Sequence, residues 1–349
     1  MRYWRLLYSH TPRIRDAAGR VRRGSIASLE RVRLGGIEQT VLLRGHDATR
    51  PVLLFLHGGP GGTAMPLAHE FTSRLEEHFV VVHWDQRGAG KSYAADIPAE
   101  SMTVAQFVQD CRELVQHLTH RFQQAKVYLV GHSWGTQLGI LAASRYPELF
   151  HAYVGVAQVV NVRQAEAISW QFALAGARAA RDGVTEARLS RMHPPAYDGR
   201  VEDLLFERAC VSRYGGSYVD PARDQALFRK YFQSPEYSLL DLRKLKKGSH
   251  WSLSLMWRQV VDWDLPQQVP ALAVPAYFLH GRSDRVTPTE LVRDYVDSLA
   301  APRKKLVWFE RSAHCLPFEE PERFQQVLVE ELLQPLDDPA TRNRSPHAR

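Results

Sequence analysis

Lys126-Val-Tyr-Leu-Val-Gly131-His-Ser133-Trp-Gly135-Thr-Gln-Leu-Gly-Ile-Leu-Ala-Ala-Ser-Arg-Tyr146 is the stretch that decides the fold of this chain. An apolar run of strand-forming residues leads into Gly-x-Ser-x-Gly, and a small-residue helix follows. Strand, sharp turn and helix together describe a nucleophile elbow, which presents Ser133 Oγ in a strained backbone conformation. Gly131 and Gly135 stand where a Cβ would collide with the adjoining strand and helix. The five-residue string is common by itself; the flanking strand and helix are what the elbow's mechanics require. The plainer alternative is a strand-to-helix turn whose serine caps the helix.

Outward from the elbow the pattern alternates. Residues 29–34 and 39–44 read as a hairpin turning at Gly35-Gly36. Residues 52–56 form a strand apolar throughout, as expected when both faces are covered. A helix is expected over 66–77, a strand over 79–84, a helix over 103–121, the elbow strand over 127–130, its helix over 134–145 and a strand over 152–156. Such βαβ alternation predicts an α/β fold, a mostly parallel sheet flanked by helices. The rhythm then breaks: 160–265 is rich in Arg, Ala, Tyr and Gln, reads as amphipathic helices, and carries breaks at Pro194-Pro195, Gly215-Gly216 and Pro235. It resumes with a strand over 276–280, a helix over 288–299, a strand over 306–309 and a last helix over 321–334. The expected division is a basic arm over 1–27, a core over 28–158 and 266–334, a helical cap over 159–265 between the sixth and seventh strands, and a disordered tail over 335–349. A cap so inserted sits over the carboxyl ends of the strands, where open α/β sheets bind ligands.

With 349 residues and 44% hydrophobic content, the chain can bury a sizeable core. No run is long enough to span a bilayer, and the start, Met1 to Tyr8, lacks a signal peptide's apolar stretch, so a cytoplasmic location and no membrane partner are expected. Cys111, Cys210 and Cys315 are widely spaced, with no Cys-x-x-Cys pair to suggest a metal or redox centre; no cofactor and no metal are expected. The formal charge of +7 invites a nucleic-acid reading, but residues 1–33 hold nine arginines against Asp16 and Glu30, an excess equal to that of the whole chain. The remainder is balanced, and the arm reads as a solvated extension rather than a nucleic-acid surface.

A serine hydroxyl needs a general base, and the base needs a group to fix its tautomer. Two late loops offer these partners: Asp284, in the loop after the resumed strand, and His314, in the loop after the next one. Each could be an ordinary turn or packing residue. The order Ser133, Asp284, His314, each behind a predicted strand, is the order an α/β-hydrolase uses. His57, His132 and His280 are rival bases, Asp262 and Asp264 rival acids. A tetrahedral intermediate needs two N–H donors at its oxyanion; Trp134 after the nucleophile supplies one, and Gly59 in His57-Gly-Gly-Pro-Gly-Gly62 is the choice for the second. Gly88-Ala-Gly-Lys-Ser92 mimics the end of a phosphate-binding loop, but that motif demands glycine where Asp85 stands.

His57-Gly-Gly-Pro-Gly61, Asp85-Gln-Arg-Gly-Ala-Gly-Lys-Ser92, Gly131-His-Ser-Trp-Gly-Thr136 and the ending Ala313-His314 with Glu319-Glu-Pro-Glu-Arg-Phe324 resemble the proline iminopeptidase branch of the α/β-hydrolases. The resemblance covers roughly 28–158 and 266–333. It implies a serine hydrolase with a helical cap and no cofactor, releasing N-terminal residues from short peptides through an acyl-enzyme. Ser133, Asp284 and His314 match its triad, Gly59 and Trp134 its oxyanion donors. The family's cap carries glutamates that bind the substrate's free amine, one in a Trp-x-x-Trp-Glu context that is missing from 160–265. Glu166, Glu202, Glu207 and Glu236 are available, and Glu236 is the first choice. An esterase or lactonase acting on a small metabolite, or a ligand-binding or tailoring protein on the same scaffold, are the alternatives. The expected partner is a small molecule or short peptide.

Overall fold

Eight strands form one sheet in the order β1-β2-β4-β3-β5-β6-β7-β8. The computed structural model describes residues 8–192, 194 and 200–333; the predicted tail, Pro195 and the first seven residues of the arm lie outside them. In chain order come β1 (Ile26–Leu34), β2 (Ile37–Gly45), β3 (Val52–Leu56), α1 (Ala68–Phe71), β4 (Val80–Asp85), α2 (Val104–Phe122), β5 (Val127–His132), α3 (Trp134–Arg145) and β6 (Phe150–Val156). The helical insertion follows, with α4 (Val162–Ala179), α5 (Gly183–Leu189), α6 (Val201–Arg213), α7 (Pro221–Tyr231) and α8 (Leu239–Val260). The chain closes with α9 (Leu265–Gln268), β7 (Ala276–Gly281), α10 (Thr289–Ser298), β8 (Lys304–Phe309), α11 (Leu316–Glu319) and α12 (Pro321–Leu333).

Strands β3 to β8 run parallel, and the β1–β2 hairpin joins antiparallel through β2 to β4. Alternation along β3 explains the two-sided core. Val52, Leu54 and Leu56 point to one face with Phe107 and Leu114 of α2 and Leu138 of α3, while Leu53 and Phe55 point to the other with Phe71 of α1 and Phe324 of α12. Helix α2 starts where the Thr103 side chain accepts the Gln106 amide and stops at Gln123 in left-handed conformation. Its buried Phe107, Cys111, Leu114 and Leu118 recur at the helical period.

The phosphate-loop mimic has a framework role. Arg87 is fully buried, donating through Nε and Nη2 to both carboxylate oxygens of Asp110 at 2.9 and 3.1 Å and through Nη2 to Gly35 O at 2.9 Å. It ties the hairpin turn to α2. Asp85 accepts from Thr63, Tyr237 and the Lys91 amide, which fastens the helical insertion to the end of β4. Burial pushes its carboxyl up to about 6.

Two expectations change. The helix over 66–77 is instead a short turn at Met65–Leu67, the four-residue α1 and a second turn at Leu75–Glu77; α1 ends at Thr72, whose amide and hydroxyl both donate to Ala68 O, at 3.0 and 2.8 Å. The arm is no solvated extension over its described part. Ile14 is buried, Arg44 donates to Thr11 Oγ1 and Pro12 O at 2.6 and 2.7 Å, and the His10 amide reaches Pro235 O at 2.9 Å, so the arm straps β2 to the insertion. Among the described residues no helix is long and apolar enough to cross a membrane.

Candidate active site

Parallel strands put their carboxyl ends on one edge, and every predicted site residue of the core leaves from that edge. The glycine loop follows β3, Ser133 follows β5, Asp284 follows β7 and His314 follows β8. Ser133 has φ 54° and ψ −121°, a conformation that costs of order 1–3 kcal/mol and persists because its neighbours over-determine it. A Cβ at Gly131 would meet Gly135 O, and one at Gly135 would meet Leu56 O, so strand, elbow and helix pack at backbone contact.

The three loops meet around a relay. Ser133 Oγ lies 3.0 Å from His314 Nε2, and His314 Nδ1 lies 3.0 Å from Asp284 Oδ2. Asp284 is fully buried; its Oδ1 accepts the Val286 and Thr287 amides, each at 2.8 Å, and its Oδ2 accepts the Thr287 hydroxyl at 2.6 Å. Burial raises the Asp284 carboxyl, but His314 beside it, His280 and these hydrogen bonds outweigh burial and hold it at about 2. An ionised Asp284 fixes the proton of neutral His314 on Nδ1, which leaves Nε2 as an acceptor facing the serine.

The rival groups hold the relay in place from outside. His132 sets Nε2 3.0 Å from His314 O, its ring 5.2 Å from the His314 ring, and burial brings it down to about 3. His57 Nε2 accepts the Gln86 amide at 3.0 Å. Gln86 in turn donates to His57 O at 3.1 Å and accepts from Trp134 Nε1 at 2.9 Å, which couples the glycine loop to the elbow helix. His280 is buried with Nε2 3.7 Å from Asp284 Oδ2, the oxygen His314 Nδ1 approaches more closely, at 3.0 Å. Asp262 pairs with Arg163 and Asp264 with Gln267, outside the relay.

A cavity of about 90 Å³ adjoins Ser133, walled by Gly59, Pro60, Trp134, Trp257, Glu166 and Arg208 among others. Trp134 opens α3, where backbone N–H groups lack intrahelical acceptors, and Gly59 lines the same cavity. Glu166 comes from α4 and Arg208 from α6, and Arg208 bridges Glu166 to Glu207. Both carboxylates are buried, and Glu166 Oε2 and Glu207 Oε1 have no hydrogen-bond partner among the described residues. Burial raises both, Glu207 to about 7. Glu236 lies elsewhere: fully buried, it holds His69 Nε2 at 2.8 Å and accepts the Ser234 hydroxyl at 2.9 Å, and it does not line this cavity. Glu202 is on the surface against His250. The signal for Glu166 and Glu207 was present in the helical period. Each falls on the buried stripe of its helix, with Val162, Ala165, Ser169 and Ala173 on α4 and with Leu204, Cys210 and Val211 on α6.

No group of three or more His, Cys, Asp or Glu among the described residues is arranged to hold a metal ion. The arrangement that is present can activate an alcohol toward a carbonyl and return a proton to a leaving group.

Comparison with known proteins agrees with this edge-on construction. The chain is 32% identical over 305 residues to a probable aminopeptidase, YbaC, of Bacillus subtilis (strain 168), covering 87% of this chain and 96% of that protein. It is 26% identical to a proline iminopeptidase of Heyndrickxia coagulans, over 80% of this chain and 88% of that one. Among solved structures it resembles a proline iminopeptidase-related protein from Thermus thermophilus, with a TM-score of 0.67 at 21% identity, over 87% of this chain and 96% of that one. A proline iminopeptidase of Mycobacterium smegmatis superposes with a TM-score of 0.66 at 22% identity, over 87% and 97% of the two chains. Residues 51–321 match the family described as alpha/beta hydrolase fold. Sheet order, elbow, helical insertion and this match together make the chain a member of the α/β-hydrolase family.

Proposed function

We propose that the protein is a serine aminopeptidase that releases the N-terminal residue of short peptides, with Ser133, His314 and Asp284 as its catalytic triad. The observation that carries the reading is the pair of 3.0 Å contacts through His314, at a cavity that also contains the Glu166 carboxylate. His314 Nε2 takes the Ser133 proton as Oγ attacks the carbonyl carbon. The oxyanion forms between the amides of Gly59 and Trp134, and Asp284 stabilises the imidazolium. The imidazolium gives its proton to the departing amine, and water then hydrolyses the acyl-enzyme with His314 again as base.

The helical insertion is read as the cap that selects the substrate. Two carboxylates share one guanidinium at its buried face, leaving Glu166 Oε2 and Glu207 Oε1 as acceptors. An ammonium group completes that charge balance, which favours Glu166 with Glu207 over Glu236 as the reader of a free amine. The names of the curated relatives point the same way.

The test is a substrate panel of aminoacyl p-nitroanilides with free and acetylated amines, beside p-nitrophenyl esters of graded length. Preferred cleavage of the free-amine prolyl substrate is expected. Cleavage of esters alone overturns the peptidase reading in favour of an esterase.

A further inference from the structure

A second and larger hollow lies beyond the Ser133 cavity. It measures about 500 Å³, between α7, the first half of α8 and the core, and Tyr218, Leu227, Phe228, Tyr231, Leu245 and Phe318 supply much of its wall. Two of its walls continue into the reacting centre. Gly61, Gly62 and Thr63 line it, directly after Gly59 and Pro60, which line the Ser133 cavity, so one loop separates the two spaces. Phe318 lies one turn beyond His314, with its amide on Cys315 O at 2.9 Å and its ring 6.3 Å from His132. Tyr218 comes directly after Ser217, whose carbonyl accepts the Cys315 amide at 3.0 Å.

The groove therefore borders the His314 loop, whereas the Ser133 cavity is walled by Val286 and Thr287 of the Asp284 loop and by Glu166. In an acyl transfer at Ser133 the departing amine has to sit at the proton on His314 Nε2. The chain attached to that amine then extends on the His314 side. The two spaces differ in size as an aminopeptidase needs: a small one for a single residue, and a large apolar one for the remainder of the peptide.

The groove has one cationic landmark. Lys246 lines it, is exposed, and makes no ion pair among the described residues. Trp257, on the same helix, lines the Ser133 cavity. Eleven residues of helix separate them, about 16 Å at 1.5 Å per residue, the reach of about five extended peptide residues.

We propose that this groove is the leaving-group site. It receives, in extended form, the apolar side chains beyond the scissile bond of a peptide about five residues long, and Lys246 pairs with the peptide's C-terminal carboxylate. The identity of the bond rests on the peptidase reading; the groove's affinity for an apolar peptide does not.

The experiment uses four substrates: a pentapeptide with proline followed by Leu, Phe, Ala and Leu, its counterpart with Ser and Asn in those places, its C-terminal amide, and prolyl p-nitroanilide. They are compared on the wild type, Leu245→Glu, Lys246→Gln and Phe228→Asp, the last at a residue 62% exposed, so that core folding is not at stake. The wild type is expected to favour the apolar pentapeptide over the polar one at least about tenfold in kcat/KM. Leu245→Glu and Phe228→Asp are expected to lower the peptide-to-anilide ratio of kcat/KM about tenfold, since a charge in an apolar site is strongly disfavoured. Lys246→Gln lowers the ratio of free-acid to amidated peptide severalfold. Unchanged ratios in these variants overturn the proposal. Binding of the same apolar pentapeptide to Ser133→Ala, followed by calorimetry, keeps the two readings apart. Binding that is lost in Ser133→Ala/Phe228→Asp, beside a wild type that cleaves no free-amine substrate, supports the groove and sinks the peptidase reading. Absence of binding, or equal binding of the polar peptide, overturns the groove.

Discussion

Replacing Asp284 by Asn keeps the side chain's shape, and the surrounding hydrogen bonds dictate how the amide must sit. The Oδ1 position faces two donors, the Val286 and Thr287 amides at 2.8 Å, so the asparagine oxygen has to occupy it. The NH2 group then falls at Oδ2, opposite His314 Nδ1 at 3.0 Å, and donates to it. His314 is left with its proton on Nε2, pointing at Ser133 Oγ, where it cannot accept one. With an oxyanion hole intact, the loss expected for such a tautomer error is about 10⁴ in kcat, about 5.4 kcal/mol of transition-state stabilisation. The variant also loses stability. The Asp284 carboxyl moves from its ordinary 3.8 to about 2 on folding, which corresponds to roughly 2 kcal/mol. Because the folded value is the lower one, this stabilisation is present in full above the unfolded value and is lost as pH falls through the folded one. Wild type and variant therefore differ by about 2 kcal/mol at pH 7 and converge as the pH is lowered from about 5 to about 2. Steady-state kinetics on the anilide, with urea titrations across that range, read both quantities. A kcat within tenfold of wild type refutes the role given to Asp284.

Three further outcomes are expected. Gly131→Ala drives a Cβ into the Gly135 carbonyl and should cost about 3 kcal/mol or prevent folding, read from the denaturation midpoint. Arg87→Met leaves the fully buried Asp110 carboxylate without its guanidinium and should cost about 3–5 kcal/mol, with Arg87→Met/Asp110→Asn recovering part of the loss in the same titration. Glu166→Gln preserves shape but removes a carboxylate that lines the Ser133 cavity. It should raise KM for free-amine anilides about tenfold, the scale of one charge-assisted hydrogen bond, and leave p-nitrophenyl ester cleavage near wild type.

The sheet was legible because its signals are local. Residues 52–56 are apolar at every position, and each of the five is buried in β3, alternating between two cores. Gly131 and Gly135 announced the elbow because nothing with a Cβ fits there. Asp284 and His314 could be picked at a distance of 151 and 181 residues from Ser133 because parallel strands bring their following loops to one edge. What escaped was set by partners far away in sequence. Glu236, the first choice as amine reader, is instead engaged by His69, 167 residues earlier, and by Ser234. Arg44 drawing the arm onto β2 has no local signature either. Glu166 and Glu207 were nearer to legible, since a carboxylate on the apolar stripe of a helix asks for a buried partner, and Arg208 provides it for both.

The central claim is that Ser133 is an activated nucleophile, and covalent labelling tests it most directly. Treatment with a fluorophosphonate should add one phosphonyl group per chain, located on Ser133 by peptide mapping and abolished in Ser133→Ala and in a boiled sample. An unmodified chain, or an adduct that persists in Ser133→Ala, contradicts the account.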